Sequence, residues 1–179
     1  VVELIVGWKA AAELQVLEVY SRKSGSAEPL VRTNYVRYIT ADLERDGRQE
    51  LVVLRADEEG GSVADYYRWQ SDGTFAGQTS ARISVTMAEL SQQGRVTRGT
   101  LQEEIPALFV TGVADTARAI TDILAVRNGE LTNIVLSETY GVSTEISQYR
   151  SLYPMDVNGD GLTEVSKAEQ LFALDDSGM

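Results

Sequence analysis

Cysteine and histidine are both absent from this chain of 179 residues. Their absence excludes disulfides, thiol nucleophiles, Cys/His zinc sites and any histidine base or triad. Proline is scarce, and no apolar run approaches the roughly 18 residues that a membrane span requires. Positive charge is in deficit, with 16 Lys and Arg against 27 Asp and Glu, a net charge of −11. A surface that negative repels phosphate backbones, which disfavours nucleic acid as a partner. Abundant carboxylates suit cations instead. The lack of cysteine fits a protein exported by a bacterium without oxidative folding, although cytosolic proteins can lack cysteine too; an extracellular or cell-surface location is the expectation. No signal peptide is visible, and the chain opens on Val1 within an apolar run, so removal of upstream residues is expected.

What is present is a repeat. Asp42-Leu-Glu-Arg-Asp-Gly-Arg-Gln-Glu50 is followed at once by Leu51-Val-Val-Leu54, and Asp156-Val-Asn-Gly-Asp-Gly-Leu-Thr-Glu164 by Val165. Both read D-x-[EN]-x-D-G-x-x-E and then an apolar residue. Weaker copies are read at Glu3-Leu-Ile-Val and at Thr121-Asp122-Ile-Leu-Ala-Val126, the latter after a decayed segment, Ala114 to Ala119. The ninth-position carboxylates are then Glu3, Glu50, Asp122 and Glu164, at separations of 47 (50 − 3), 72 (122 − 50) and 42 (164 − 122) residues. The shorter spacings suit a unit of about four strands. The long one calls for an insertion, placed in the polar stretch Met87 to Glu104.

Short runs rich in Val, Ile and Leu predict strands at Leu4–Trp8, Leu14–Tyr20, Leu51–Leu54, Ala107–Val110, Ile123–Val126 and Ile134–Leu136. Ser71-Asp-Gly73 and Arg127-Asn-Gly129 read as hairpin turns. Helical periodicity is scarce, with single turns at Ala10–Glu13 and Thr86–Leu90 and an ambiguous segment from Ser166 to Leu174. An all-β fold follows, with units near 1–46, 47–113, 114–156 and 157–179, the last truncated.

The acidic loops suit calcium, which takes six to eight oxygen ligands at roughly 2.3–2.6 Å. Alternate residues can aim their oxygens inward while a glycine at position six permits the turn. The candidate ligands are Asp156, Asn158, Asp160, the carbonyl of Leu162 and Glu164 in one loop. In the other they are Asp42, Glu44, Asp46, the carbonyl of Arg48 and Glu50. The competing account is an Asx-stabilised turn without metal, with Arg45 or Arg48 standing in for the ion in the first loop. An EF-hand needs an acid at position twelve, which here is Val53 or Lys167.

These loops resemble the FG-GAP or VCBS-type repeats of integrin-like β-propellers and of many exported bacterial proteins, lipoproteins among them. The resemblance implies a β-propeller-like array of four-stranded blades. The chain begins inside one motif and ends shortly after another, so an incomplete portion of a larger propeller, with flanking repeats missing, is expected. The resemblance also implies structural calcium in the inter-strand loops. It says nearly nothing of the ligand. The expected function is a noncatalytic extracellular binding or scaffolding module whose partner is a protein or a carbohydrate. The alternatives are a carbohydrate-binding or adhesive surface using Trp8, Trp69, Tyr66, Tyr67 and Tyr20, or an accessory part of a secreted hydrolase. No catalytic motif is found: Glu103-Glu104 and Asp57-Glu58-Glu59 read as solvated clusters, and no glycine-rich phosphate loop occurs.

Overall fold

The computed structural model describes residues 3–12, 14–21, 28–70, 75–114, 118–135, 146–147 and 154–164. The fold is all-β, built from three antiparallel meanders in chain order. The first sheet is β1 (Glu3–Lys9), β2 (Gln15–Ser21) and β3 (Val31–Asn34). The second is β4 (Arg37–Ala41), β5 (Glu50–Ala56), β6 (Ser62–Trp69) and β7 (Phe75–Arg82). The third is β8 (Arg95–Thr100), β9 (Pro106–Ala114), β10 (Arg118–Arg127) and β11 (Glu130–Asn133), with the short β12 (Ile146–Ser147) beside the start of β10. Among the described residues the sheets stay separate, and no helix is long and apolar enough to cross a membrane.

The sheets stack face to face because the inner strands are apolar on both faces. In β5, residues 50–54 are all buried. Leu51 and Val53 point one way, joining Tyr67 against Leu17, Val19 and Val31 of the first sheet. Val52 and Leu54 point the other way, joining Tyr66 in a core shared with Leu108, Val110 and Leu124 of the third sheet. Each sheet therefore has a leading face, toward the sheet before it, and a trailing face, toward the sheet after it.

Pairing registers show which strands correspond. Val6 pairs with Glu18, Val53 with Asp65 and Val110 with Asp122. Thus β1, β5 and β9 hold one place in their sheets, and β2, β6 and β10 the next. Asp122 lies within β10 and is fully buried, so it is the counterpart of Asp65 rather than of Glu50. Ala107 of β9 stands in the place of Glu50, paired with Gly99 as Glu50 is with Ala41. The expected unit boundary at 46/47 falls inside the β4–β5 hairpin, and that at 113/114 falls at the end of β9.

The stretch Met87 to Glu104, expected as a polar insertion, supplies α1 (Met87–Gln92) and the edge strand β8. Thr86 and Glu89 form a capping box, each side chain accepting the other's backbone N–H, and Leu90 is buried in the core between the second and third sheets. The stretch looks polar because α1 is short and β8 is an edge strand. Ile134 and Val135 form the turn after β11 instead of a strand, and Leu136 lies outside the described residues. The Asn128-Gly129 turn joins β10 to β11 with φ of 54° and 77°, as a tight hairpin of that composition requires. The Ser71–Gly73 turn, Glu13, residues 115–117 of the decayed segment and Ser166–Leu174 lie outside the described residues.

Candidate metal centre

The two nine-residue turns fold alike. The first joins β4 to β5, and its ninth residue, Glu50, is paired with Ala41, the residue before the turn. The second is closed by an antiparallel bridge in the same register, Met155 to Glu164. In both, the first-position carboxylate accepts the N–H of position six: Gly47 donates to Asp42 at 3.0 Å and Gly161 to Asp156 at 2.9 Å. The fifth-position carboxylate accepts the N–H of position seven, from Arg48 to Asp46 and from Leu162 to Asp160, each at 2.8 Å. The ninth-position carboxylate accepts the N–H of position two, from Leu43 to Glu50 and from Val157 to Glu164, each at 2.7 Å. Gly47 and Gly161 have φ of 81° and 86°, the left-handed region where a Cβ is penalised. At position four, Gly159 has φ of 80° and Arg45 has 58°, so Arg45 carries the cost that glycine avoids.

This scheme gathers carboxylates. Asp42, Asp46 and Glu50 each offer an oxygen within 4.8 Å of the others, and so do Asp156, Asp160 and Glu164. Two oxygens bound at roughly 2.3–2.6 Å to one calcium lie at most about 5 Å apart, so the spacing within each triad is compatible with a shared ion. Either triad could hold a metal ion.

The remaining expected ligands divide. Asn158 is turned into the second loop, donating from Nδ2 to Asp160 at 3.1 Å and accepting the Asp160 N–H at 2.9 Å. Glu44, its counterpart, is engaged elsewhere, its Oε1 accepting from the Tyr66 hydroxyl and from Arg68, each at 3.1 Å. Arg48 Nε stands 4.0 Å from Asp46, whereas Arg45 reaches across to Glu104 of the third sheet.

The corresponding turn of the third sheet, Leu101–Ile105, contains the 3₁₀ segment Gln102–Glu104 and lacks the aspartate positions. The second loop packs beside that sheet. Thr163 donates its N–H to the Thr100 carbonyl at 2.8 Å and accepts the Thr100 N–H at Oγ1. A Cβ on Gly99 would lie 2.2 Å from Thr163 Oγ1, so only glycine admits this contact.

Burial separates the first triad from the second. Glu50 is 2% exposed, and Asp42, Asp46 and the residues of the second triad are more open. Burial pushes the Glu50 carboxyl above its ordinary range, with the charges of Asp46 and Glu44 adding to the effect. The N–H groups of Leu43 and Glu44 oppose it. Folded Glu50 thus keeps its proton to higher pH than the unfolded chain does. Without metal, stability falls as pH rises through that window, while calcium affinity, which needs the carboxylate, rises. Glu50→Gln keeps an acceptor for Leu43 and removes the buried charge. In chelator at neutral pH it should therefore melt higher than wild type, and in calcium the order should reverse. A variant that melts lower in chelator would show that the buried charge costs nothing.

The aromatic residues do not form one platform. Tyr66 and Tyr67 are buried in different cores on opposite faces of β6, and burial pushes the Tyr67 hydroxyl up to about 12. Trp69 stacks on Phe75 at 4.3 Å. Trp8 and Tyr20 share the leading face of the first sheet, where both donate to Glu18.

Sequence reasoning missed Glu18 and Asp65 and misplaced Asp122, the acids of β2, β6 and β10. Glu18, Asp65 and Asp122 occupy one register position on the leading faces of the three sheets. The signal was an acid followed by an apolar or aromatic residue and then Tyr or Leu, in Glu18-Val-Tyr20, Asp65-Tyr-Tyr67 and Asp122-Ile-Leu124. Comparison of the chain with protein-family models, with curated proteins and with solved structures finds no match.

Proposed function

We propose that the chain is a noncatalytic extracellular binding or scaffolding module. Its sheets serve as blades of a β-propeller of FG-GAP or VCBS type, and its two acidic turns hold structural calcium. The observation that carries this reading is the repetition of one turn. Two segments with different neighbours adopt the same register, the same three carboxylate-to-backbone bonds and the same left-handed positions. An Asx-type turn needs only one of those acids. Holding three carboxylates together is repulsive, and a divalent cation converts that cost into a link between the two ends of the turn. The triads are partly solvent-exposed, which suits the weak affinities of extracellular calcium modules. The partner is taken to be a protein or a carbohydrate.

Thermal unfolding with calcium and with chelator tests the reading. At a free calcium concentration about 100 times the dissociation constant, one site adds about 2.7 kcal/mol. For a chain of this size that is an upward shift of about 5–10 °C. Asp160→Ala should lose the share of the second turn, and Asp46→Ala with Asp160→Ala should lose the whole response. If wild type melts alike with calcium and with chelator, the turns are not calcium sites.

A further inference from the structure

The first and second sheets do not close completely against each other. Where β3 and β5 finish, their seam leaves a cavity of about 590 Å³, a size that suits a small-molecule site. It lies at the opposite end of β5 from the first acidic turn. Two charged side chains in it keep unused hydrogen-bonding capacity. Arg55 gives one N–H from Nε and one from Nη2 to the buried Asp65 carboxylate, and one from Nη1 to the Ala56 carbonyl. A guanidinium carries five such groups, so two (5 − 3) are left among the described residues. Asp57 is the complement. Its Oδ1 accepts the N–H groups of Glu59 and Gly61, whereas Oδ2 accepts none among the described residues. One cavity therefore offers spare donors on Arg55 and a spare acceptor on Asp57. A hydroxyl answers both, since it donates to a carboxylate while accepting from a guanidinium.

Charge selects against ions. Arg55 already has its counter-ion in the fully buried Asp65. An anionic ligand would bring another negative group toward Asp65, Asp57 and Glu58, and a cation would have to sit beside the guanidinium. The rest of the wall is aromatic and held in place. Tyr35 stands edge-on to Tyr38 at 5.7 Å, and its hydroxyl lies over Gly7, where a Cβ would collide with it. Tyr67 is 7% exposed, with its hydroxyl bonded to the Thr33 side chain. Rings fixed in this way give apolar contact beside polar groups. We infer that this cavity binds a neutral saccharide, its hydroxyls bridging Arg55 and Asp57 and the carbon face of its ring lying against Tyr35 and Tyr67. The inference goes beyond the proposed function, because it places a ligand and needs no ion in either turn.

Amide NMR of the 179-residue chain, titrated separately with glucose, galactose, mannose, xylose and N-acetylglucosamine at millimolar concentration, tests this. Galacturonate, glucosamine and glycine serve as the anionic, cationic and zwitterionic controls. At least one neutral sugar should shift the amides of Asn34, Asp57 and Glu58 saturably, and equally in calcium and in chelator. That equality keeps the result separate from the calcium reading, which thermal unfolding tests. Asp57→Asn keeps an accepting oxygen for Glu59 and Gly61 but turns the spare acceptor into a donor. It should weaken binding about tenfold or more. Arg55→Met combined with Asp65→Leu should do the same, with denaturant unfolding checking that it folds. Leu14→Trp, at a side chain that lines the cavity and is 40% exposed, should abolish binding by filling the space. The inference is overturned if no neutral sugar moves these amides, or if a folded variant of Arg55 or Asp57 binds the sugar as wild type does. A control that binds more tightly than every neutral sugar also overturns it.

Discussion

Asp122→Ala should cost about 3–5 kcal/mol, a large part of the stability of a domain this size, and lower the melting temperature by about 6–20 °C. Asp122 is fully buried and accepts three hydrogen bonds. Ser84 and Val85 donate their N–H groups at 2.8 and 2.9 Å, and Asn133 donates from Nδ2 at 2.8 Å. Alanine leaves the two backbone donors unsatisfied away from water, and each such donor costs about 1–3 kcal/mol. Asn133 suffers less, because its Nδ2 also donates to the Arg82 carbonyl. The affected segment leads into α1, whose Leu90 fills the core between the second and third sheets. Loss of the anchor should therefore loosen packing beyond the site itself. Asp122→Asn should fall between, since its amide keeps one accepting oxygen. Denaturant unfolding of the three proteins measures the difference. A loss below about 1 kcal/mol would mean that water reaches Ser84 and Val85 once the carboxylate is gone.

Asp122 is also where the sequence misleads. Read along the chain, an acid followed by Ile-Leu-Ala-Val looks like the close of an acidic turn and the start of a strand, as Glu50-Leu-Val-Val is. Only the pairing of Val110 with Asp122 shows that the residue sits in the middle of a strand, facing the sheet before. The nine-residue turns were legible because their determinants are local: each acid bonds a backbone N–H no more than seven residues away. The all-β character was legible from β5 and β9, whose apolar runs are buried on both faces. The edge strand β8, Arg-Val-Thr-Arg-Gly-Thr, and the short β3 and β4 were not, because strands with a solvated side carry little apolar signal. The fate of Glu44 was hidden for another reason. Its competitor for the loop, the Tyr66 and Arg68 pair, is more than twenty residues away and arrives only through the fold.

The three leading-face acids share a register but should respond differently to mutation, because their partners differ. Asp65 is fully buried and accepts from both Nε and Nη2 of Arg55 and from the Ser80 hydroxyl at 2.6 Å. The Arg55 side chain is 23% exposed, and its guanidinium is held by this carboxylate more than by any other group. Asp65→Ala should cost about 3 kcal/mol, since it leaves a largely buried cation without its counter-ion. Most of that loss should return when the cation goes too. Asp65→Leu combined with Arg55→Met should lie within about 1 kcal/mol of wild type, because a buried ion pair replaced by apolar groups of similar volume is often neutral. No equivalent rescue exists for Asp122, whose partners are two backbone N–H groups and an amide. At Glu18 alanine should cost no more than about 1 kcal/mol, because its Arg32 partner is largely solvated and its Trp8 partner is exposed. A double-mutant cycle on Asp65 and Arg55 by denaturant unfolding reads the coupling directly. Additive losses at the two positions would show that the charge of Arg55 is already satisfied by water, and that Asp65 holds β5, β6 and β7 together through Ser80 alone.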